Sequence, residues 1–150
     1  MIKNVTPKEL KKILKAEFGW FLDVEFRNEK YILYGRSEIE SCVAKIGTVK
    51  SYEHDEYDCK YQTDEILVEL HKLHPNMACC YVKGIDKKAA GRPKGHAWPC
   101  VIISTGEVIH LDIRKGIQRV GEVIAQVEVP YVDTAKRNYK KFPSIQKIRF

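Results

Sequence analysis

The sequence predicts an α+β domain in which helices come first and an antiparallel β-sheet follows. Apolar residues recur at helical spacing up to about residue 74, and strand-like runs dominate from Met77 onward. Such a change of period along one chain is typical of an α+β domain. A length of 150 residues suits one domain with one core. We therefore expect a single domain over residues 1–150, with a basic C-terminal segment at 133–150.

The first predicted element is an amphipathic helix. Thr6-Pro7-Lys8-Glu9 forms a capping-box pattern with proline at the first helical position, and apolar residues follow at helical spacing up to Phe18. Gly19 marks the end of the helix. Beyond it, alternation over residues 22–26 and the apolar run 31–34 predict a small hairpin.

Two more helices are expected before the sheet. Ser37 to Glu40 repeats the capping-box pattern, and Cys42 lies on the apolar face that follows, so we expect Cys42 to be a core residue. After a charged stretch without a period, Cys59 begins a third helix of roughly twelve residues. His74-Pro75 closes it, because the residue before a proline disfavours helical geometry.

The predicted sheet consists of four extended segments. They are Met77–Ile85, His96–Ser104, Glu107–Arg114 and Glu122–Val129. Thr105-Gly106 is a tight turn between the second and third segments.

Composition restricts the compartment and the class of protein. A hydrophobic content of 44% and a charged content of 31% are ordinary for a globular chain. No apolar run approaches the roughly 18 residues that span a bilayer, and the start of the chain lacks the apolar stretch of a secretory signal. Five cysteines are an odd number, and the adjacent pair Cys79-Cys80 is a poor start for a disulfide framework. We expect a cytoplasmic protein without membrane contact.

Cys59, His96 and Asp112 form the candidate catalytic set. A cysteine attacks as its thiolate, and a helix start lowers the thiol pKa because unpaired N–H groups and the helix dipole favour negative charge. Cys59 falls at such a start. His96 opens a strand, where it can take the proton and later hand it to the leaving group. Asp112 on the next strand can orient the imidazole ring.

The predicted strand pairing places Asp112 near His96. If the turn pairs Ser104 with Glu107, counting outward sets His96 opposite residues 113–115. Asp112 then lies within a residue or two of facing His96.

Three short motifs carry a resemblance to known enzymes. They are Tyr57-Asp58-Cys59 before a helix, Gly95-His96-Ala97-Trp98 opening a strand, and Ile109-His110-Leu111-Asp112 after Gly106. Together they look like the core of papain-like and transglutaminase-like cysteine peptidases, in which Cys, His and Asp occur in this order. The closer resemblance is to the short peptidase domains related to the mushroom agglutinin protease, and it covers about residues 50–115.

The resemblance implies a papain-like or transglutaminase-like core with Cys59 as nucleophile, His96 as general base and acid, and Asp112 as the residue that holds His96. A Cys-His-Asp site implies attack of the thiol on an amide or thioester carbonyl, so we expect thiol-dependent peptide or isopeptide hydrolysis, or acyl transfer, on a protein or peptide substrate. A papain-type oxyanion glutamine shortly before the cysteine is missing. The second oxyanion donor, beside the Cys59 N–H, is then Gln62 or His54.

An excess of basic residues suggests a second kind of contact. The net charge is +6, and cations concentrate in the loop 86–95 and in the C-terminal segment 133–150. Such patches bind acidic proteins or nucleic acid, although many are only solvated surface. The alternative function is therefore a catalytically inactive member of the same fold that binds or inhibits an acidic protein or nucleoprotein. The expected partner-binding residues are Lys87, Lys88, Arg92, Lys94, Lys136, Arg137, Lys140 and Lys141.

Metal binding is the remaining alternative for the cysteines and histidines. His71 and His74 stand three residues apart, but the chain has no Cys-x-x-Cys pair and its spacings match no common zinc module. We expect no metal and no cofactor. His110 is expected to be structural or on the surface.

Overall fold

The computed structural model describes residues 1–19, 24–46, 59–86, 94–111 and 145–150, with residues 59, 85, 86, 94–96 and 145–147 described by their backbone alone. Three helices lie in these ranges: α1 (Pro7–Phe18), α2 (Arg36–Ile46) and α3 (Cys59–Leu73). The strands are β1 (Lys3–Val5), β2 (Val24–Glu25), β3 (Tyr31–Leu33), β4 (Cys79–Asp86), β5 (Lys94–Ile102), β6 (Val108–His110) and β7 (Ile145–Arg149). The chain is an α+β protein, as the sequence predicts.

The strands form two sheets. A five-stranded sheet has the order β2-β7-β4-β5-β6, and a two-stranded sheet pairs β1 with β3. The pairs β7–β4, β4–β5 and β5–β6 are antiparallel, whereas β2 and β7 run parallel. The larger sheet is therefore mixed, and the prediction of a purely antiparallel sheet is wrong at this edge.

Helices cover the large sheet on both faces. On one face, side chains of α2 and α3 such as Val43, Ile66 and Leu70 pack with Ala97 and Val101 of the sheet. On the other face, α1 packs with a second set of sheet residues that includes Trp98 and Cys100. Consecutive residues of β5 thus face different helices, as the alternation of side chains along a strand requires. The single core expected from the sequence is two apolar clusters separated by the sheet.

The cap of α1 is the one predicted from the sequence. The Thr6 side chain accepts a hydrogen bond from the Glu9 N–H, and the Glu9 carboxylate accepts one from the Thr6 N–H. Gly19 ends the helix at a φ of 73°, a conformation that costs glycine little, and its N–H donates to the carbonyl of Lys15. The second predicted capping box is wrong, because α2 begins at Arg36 and Ser37 already lies inside the helix.

Thr6 and Ser37 give a matched test of the two predicted helix caps. Thr6→Ala is expected to lower the free energy of unfolding by about 1 kcal/mol, because a helix N–H loses its acceptor. Ser37→Ala should change it by less than about 0.5 kcal/mol, since Ser37 is exposed and caps no helix. Urea unfolding of both variants measures the difference. Equal losses would show that Ser37 is a cap after all.

The predicted hairpin between residues 22–26 and 31–34 does not form. β2 pairs instead with β7, where Val24 is opposite Ile148, and β3 pairs with β1, where Tyr31 is opposite Val5. Tyr31 stabilises the connection between β2 and β3, because its hydroxyl accepts hydrogen bonds from the Arg27 and Asn28 N–H groups.

The turn between β5 and β6 was predicted at the right place, but the pairing of the two strands differs by one residue from the prediction. Val101 lies opposite Ile109 and Ile102 opposite Val108, and the Ile103 N–H donates to the carbonyl of Glu107. Gly106 makes the turn with a φ of 86°. The expected Ser104–Glu107 pair is therefore replaced by an Ile103–Glu107 contact, and the turn contains three residues, 104–106, instead of two.

The last residues of the chain are part of the sheet rather than a solvated basic tail. β7 lies between β2 and β4, Ile148 is buried, and Phe150 stacks on Phe26. Arg149 pairs with Asp64 at 3.2 Å, and its guanidinium lies 4.7 Å from the centre of the Tyr81 ring. Residues 145–149 of the predicted basic C-terminal segment therefore form a strand of the sheet, which was not predicted from the sequence.

In the parts of the chain that the structure describes, every helix is too short or too polar to cross a bilayer.

Candidate functional site

Cys59 is the first residue of α3, as predicted from the sequence. The helix buries the face that carries Gln62, Thr63 and Ile66, and this face packs against β4, β5 and α2. α3 ends at Leu73, directly before His74-Pro75, also as predicted. The N-terminal N–H groups of α3 therefore start at the proposed nucleophile, and they favour a thiolate there.

His96 is the third residue of β5, where its backbone lies opposite Gly84 of β4. The structure thus brings the strand that carries His96 against the helix that begins at Cys59. For Cys59 and His96 the backbone alone is described. Asp112 and His54 lie outside the described residues.

Gln62, the other expected oxyanion donor, is 2% exposed. It lies one turn beyond Cys59 on the buried side of α3.

Most of the expected partner-binding residues fall outside the described ranges. Lys94 belongs to β5 with its backbone alone described. The residues outside are Lys87, Lys88, Arg92, Lys136, Arg137, Lys140 and Lys141.

A second set of Cys, His and Glu residues lies in the core, between α1 and the sheet. The Trp98 indole N–H donates to His110 Nδ1 at 2.9 Å, and the Cys100 Sγ lies 3.3 Å from the same nitrogen. Because Nδ1 accepts the indole proton, Nε2 carries the ring proton and donates it to the Glu17 carboxylate at 3.0 Å. His110 is thus a structural residue, as expected.

This buried set cannot serve as a reactive thiol centre. Cys100 is 0% exposed, and burial raises its pKa well above the ordinary value. His110 is 2% exposed, and the Phe18 ring packs edge-on against it. The alternation of β5 and the Cys100–His110 pair could have revealed the cluster from sequence, but the Glu17 partner depends on how α1 packs.

A third cluster, missed by the sequence predictions, lies where α2 meets the end of α3. Glu38 Oε1 is 2.8 Å from His74 Nε2 and 3.7 Å from the Cys42 Sγ. The donor atoms of all three residues lie within 4.8 Å of one another. Glu38 and Cys42 are four residues apart on one face of α2, a signal visible in the sequence, whereas His74 arrives through packing.

The electrostatics of this cluster favour an ionised Glu38. Hydrogen bonding from His74 holds the pKa of the Glu38 carboxyl below its usual value. Burial, reinforced by the Glu38 charge, raises the pKa of the Cys42 thiol. A thiol in these surroundings stays protonated at neutral pH and is a poor nucleophile.

His71, one turn before His74, makes a separate contact with Cys79. The Cys79 Sγ lies 3.2 Å from His71 Nε2. Burial raises the pKa of the Cys79 thiol and lowers that of the His71 imidazole, so both groups favour their neutral forms.

Comparison with known proteins finds the fold but no sequence family. No family model and no curated protein sequence matches the chain. Among solved structures, the Polyporus squamosus lectin bound to the human-type influenza-binding epitope Neu5Aca2-6Galb1-4GlcNAc matches with a TM-score of 0.64 and 14% identity. A complex of PSL1a with E64 matches with a TM-score of 0.63 and 14% identity.

The present chain spans about half the length of these neighbours. The matches cover 98% of this chain but 49% of the lectin chain and 51% of PSL1a. At 14% identity the likeness shows a shared fold.

Proposed function

We propose that the chain is a thiol-dependent amide hydrolase or acyl transferase that uses Cys59 as nucleophile, His96 as general base and acid, and Asp112 to orient His96. The core is then papain-like or transglutaminase-like. One observation carries the proposal: α3 begins at Cys59 and packs against β5, which holds His96 near its start. A helix N-terminus and a nearby imidazole each lower the pKa of a thiol, and together they favour a reactive thiolate.

The path of the chain after β6 supports Asp112 as the third member. The Leu111 N–H donates to the carbonyl of Pro99 at 2.8 Å, so the chain still runs beside β5 one residue before Asp112. Pro99 is three residues from His96 on β5. A carboxylate next to a catalytic histidine fixes the tautomer and stabilises the imidazolium that forms during the reaction.

The two faces of the sheet define where such a site can form. α3 covers the face that carries Ala97 and Val101, and α1 covers the opposite face. The proposal therefore requires the His96 side chain, which has the same parity along β5 as Trp98 and Cys100 on the α1 face, to turn toward α3 near the start of β5. The proposal places the site at this end of β5, beside the start of α3.

One structural neighbour suggests a reagent for testing the proposed thiol. PSL1a is described in complex with E64. E64 is an epoxide whose ring is opened by attack of a thiolate. The same reagent is a suitable probe for Cys59.

The proposed reaction has two halves. The Cys59 thiolate attacks a carbonyl carbon, the C–N bond of the resulting tetrahedral species breaks, and the imidazolium of His96 gives its proton to the leaving amine. Water then attacks the thioester while His96 takes a proton from it, which releases the acid and returns the thiol. In acyl transfer, an amine replaces the water. The Cys59 backbone N–H at the start of α3 is one donor to the oxyanion.

Thiol alkylation measured by mass spectrometry tests the proposal. Cys59 should react with iodoacetamide at pH 7 about tenfold faster than a free thiol whose pKa is roughly 8.5. Its pH profile should have a midpoint below that value. E64 should label the same residue. The other cysteines in the described residues, Cys42, Cys79, Cys80 and Cys100, are buried and act as internal controls.

His96→Gln separates a catalytic pair from a merely exposed cysteine. The substitution should shift the alkylation midpoint of Cys59 up toward the value of a free thiol, because the imidazolium no longer stabilises the thiolate. A matched control is His71→Gln. His71 lies near the other end of α3, where it contacts Cys79 of β4. If Cys59 titrates as a free thiol in the unmodified chain, the pair does not exist and the enzyme proposal fails.

A further inference from the structure

The Glu38–Cys42–His74 cluster presents three different metal-ligating atoms on two elements that pack together. Glu38 and Cys42 project from α2, and His74 follows the last residue of α3. A carboxylate oxygen, a sulfur and an imidazole nitrogen are the ligand types that zinc sites combine. The cluster does not involve Cys59, His96 or Asp112, so it is independent of the proposed catalytic site.

The distances between these atoms approach those of a tetrahedral metal site. With ordinary zinc–ligand bonds of roughly 2.0–2.3 Å, ligand atoms of a tetrahedral site lie roughly 3.3–3.6 Å apart. The Cys42 Sγ and Glu38 Oε1 are 3.7 Å apart, and the Glu38 Oε1 and His74 Nε2 are 2.8 Å apart. The second pair is at hydrogen-bond distance. The separation between Glu38 Oε1 and His74 Nε2 must therefore increase by about half an ångström when a metal ion replaces the shared proton.

The histidine is held in place by contacts outside the cluster. Its ring lies against the Tyr34 ring, with the centroids 4.3 Å apart. Its backbone N–H donates to the carbonyl of Leu70, and its carbonyl accepts from the Met77 N–H. A ligand whose ring and backbone are both fixed loses little conformational freedom when it binds a metal.

Access and charge also suit a cation. Cys42 is buried at the back of the cluster, whereas 28% of the His74 side chain and 42% of the Glu38 side chain are exposed. A metal ion therefore meets solvent on the side away from Cys42, which leaves room for water as a fourth ligand. The carboxylate and a thiolate together balance a divalent charge. Binding releases the thiol proton of Cys42, as metal binding to cysteine does generally.

We propose that Glu38, Cys42 and His74 form a binding site for a divalent transition-metal ion of the zinc class, which joins α2 to the C-terminal end of α3. The cysteine sulfur makes the site selective for zinc and similar ions over magnesium and calcium, which prefer ligand sets made only of oxygen.

Cobalt titration of a Cys59→Ala chain tests this site without interference from the proposed catalytic thiol. Co²⁺ should bind with one-to-one stoichiometry and give the near-ultraviolet charge-transfer absorption of a cobalt–thiolate bond. Zn²⁺ should displace the cobalt and remove the absorption, because zinc binds such sites more tightly than cobalt. Mg²⁺ at the same concentration should leave it unchanged.

Single substitutions identify the ligands. In the same Cys59→Ala background, His74→Gln and Glu38→Gln should each weaken cobalt binding by about tenfold or more, since replacing even a residue that only hydrogen-bonds to a metal ligand costs about 10–100-fold. Cys42→Ser should remove the charge-transfer absorption. Matched controls are His71→Gln, one turn away on α3, and Glu40→Gln, an exposed carboxylate on α2. Circular dichroism of each chain confirms that it remains folded.

Two results would overturn the site. The first is the absence of a cobalt–thiolate absorption up to about 1 mM Co²⁺, where even a weak site is half occupied. The second is an affinity that His74→Gln and Glu38→Gln leave unchanged. The half-exposed positions of Glu38 and His74 keep the test valid if Cys42→Ser fails to fold. The reactivity of Cys59 does not affect this test. The metal-site proposal and the enzyme proposal can therefore fail independently of each other.

Discussion

Trp98→Ala is expected to lower the free energy of unfolding by about 3–5 kcal/mol, the usual cost of removing a buried tryptophan. Trp98 is 1% exposed and belongs to the apolar cluster between α1 and the sheet. Its removal leaves a cavity and also leaves His110 Nδ1 without the indole donor. Urea or thermal unfolding followed by circular dichroism gives the change.

Trp98→Phe separates the two parts of this effect. Phenylalanine retains much of the apolar volume but has no N–H, so the loss of the hydrogen bond to His110 should account for about 1–3 kcal/mol. Val68→Ala is the exposed control on α3, and it should change stability by less than about 0.5 kcal/mol. If Trp98→Phe were as stable as the unmodified chain, the Trp98–His110 bond would contribute nothing and packing alone would explain the site.

Local signals in the sequence predicted the helices well. The cap at Thr6, the end at Gly19 and the start of α3 at Cys59 depend on residues within a few positions of each other, and the structure confirms all three. The false cap at Ser37 shows the limit of such motifs. Gly35 occupies the N-cap position, and Ser37 lies two residues too far along to cap the helix.

Strand pairing was predicted less well, because partners far apart in sequence determine it. β2 looked like half of a local hairpin, yet it pairs with β7 near the end of the chain. β3 pairs with β1, whose short sequence carries no strong strand signal. The β5–β6 hairpin was predictable since its partners are separated only by a tight turn, and there the error was one residue.

The same distinction applies to the functional sites. The position of Cys59 on α3 follows from a local pattern, and the structure places it as predicted. The contact between Glu38 and His74 arises because α2 and α3 pack side by side, and no local pattern links the two residues. The sequence did identify Cys42 as a core residue, and it is 0% exposed.

Cys59→Ala is expected to reduce amide hydrolysis by roughly a millionfold, because the proposed acyl-enzyme forms on this thiol. Release of new amino groups from a library of peptides, followed by mass spectrometry, identifies a substrate and then measures the rate. Cys79→Ser is the matched control for loss of a thiol. The Cys79 thiol is buried and its pKa is raised by burial, so its replacement should leave the rate of a folded chain unchanged.

Asp112→Asn tests the third member of the proposed triad and should lower kcat by up to roughly 10⁴-fold, as in enzymes where a carboxylate orients the catalytic histidine. The amide keeps the size of the side chain but cannot stabilise the imidazolium, and it allows the wrong tautomer of His96. KM should change little, because a carboxylate that orients the histidine acts through the imidazole ring and not through substrate binding. Unchanged kcat in Asp112→Asn together with lost activity in Cys59→Ala would restrict catalysis to the Cys59–His96 pair. Full peptide hydrolysis by Cys59→Ala would instead remove the thiol mechanism altogether.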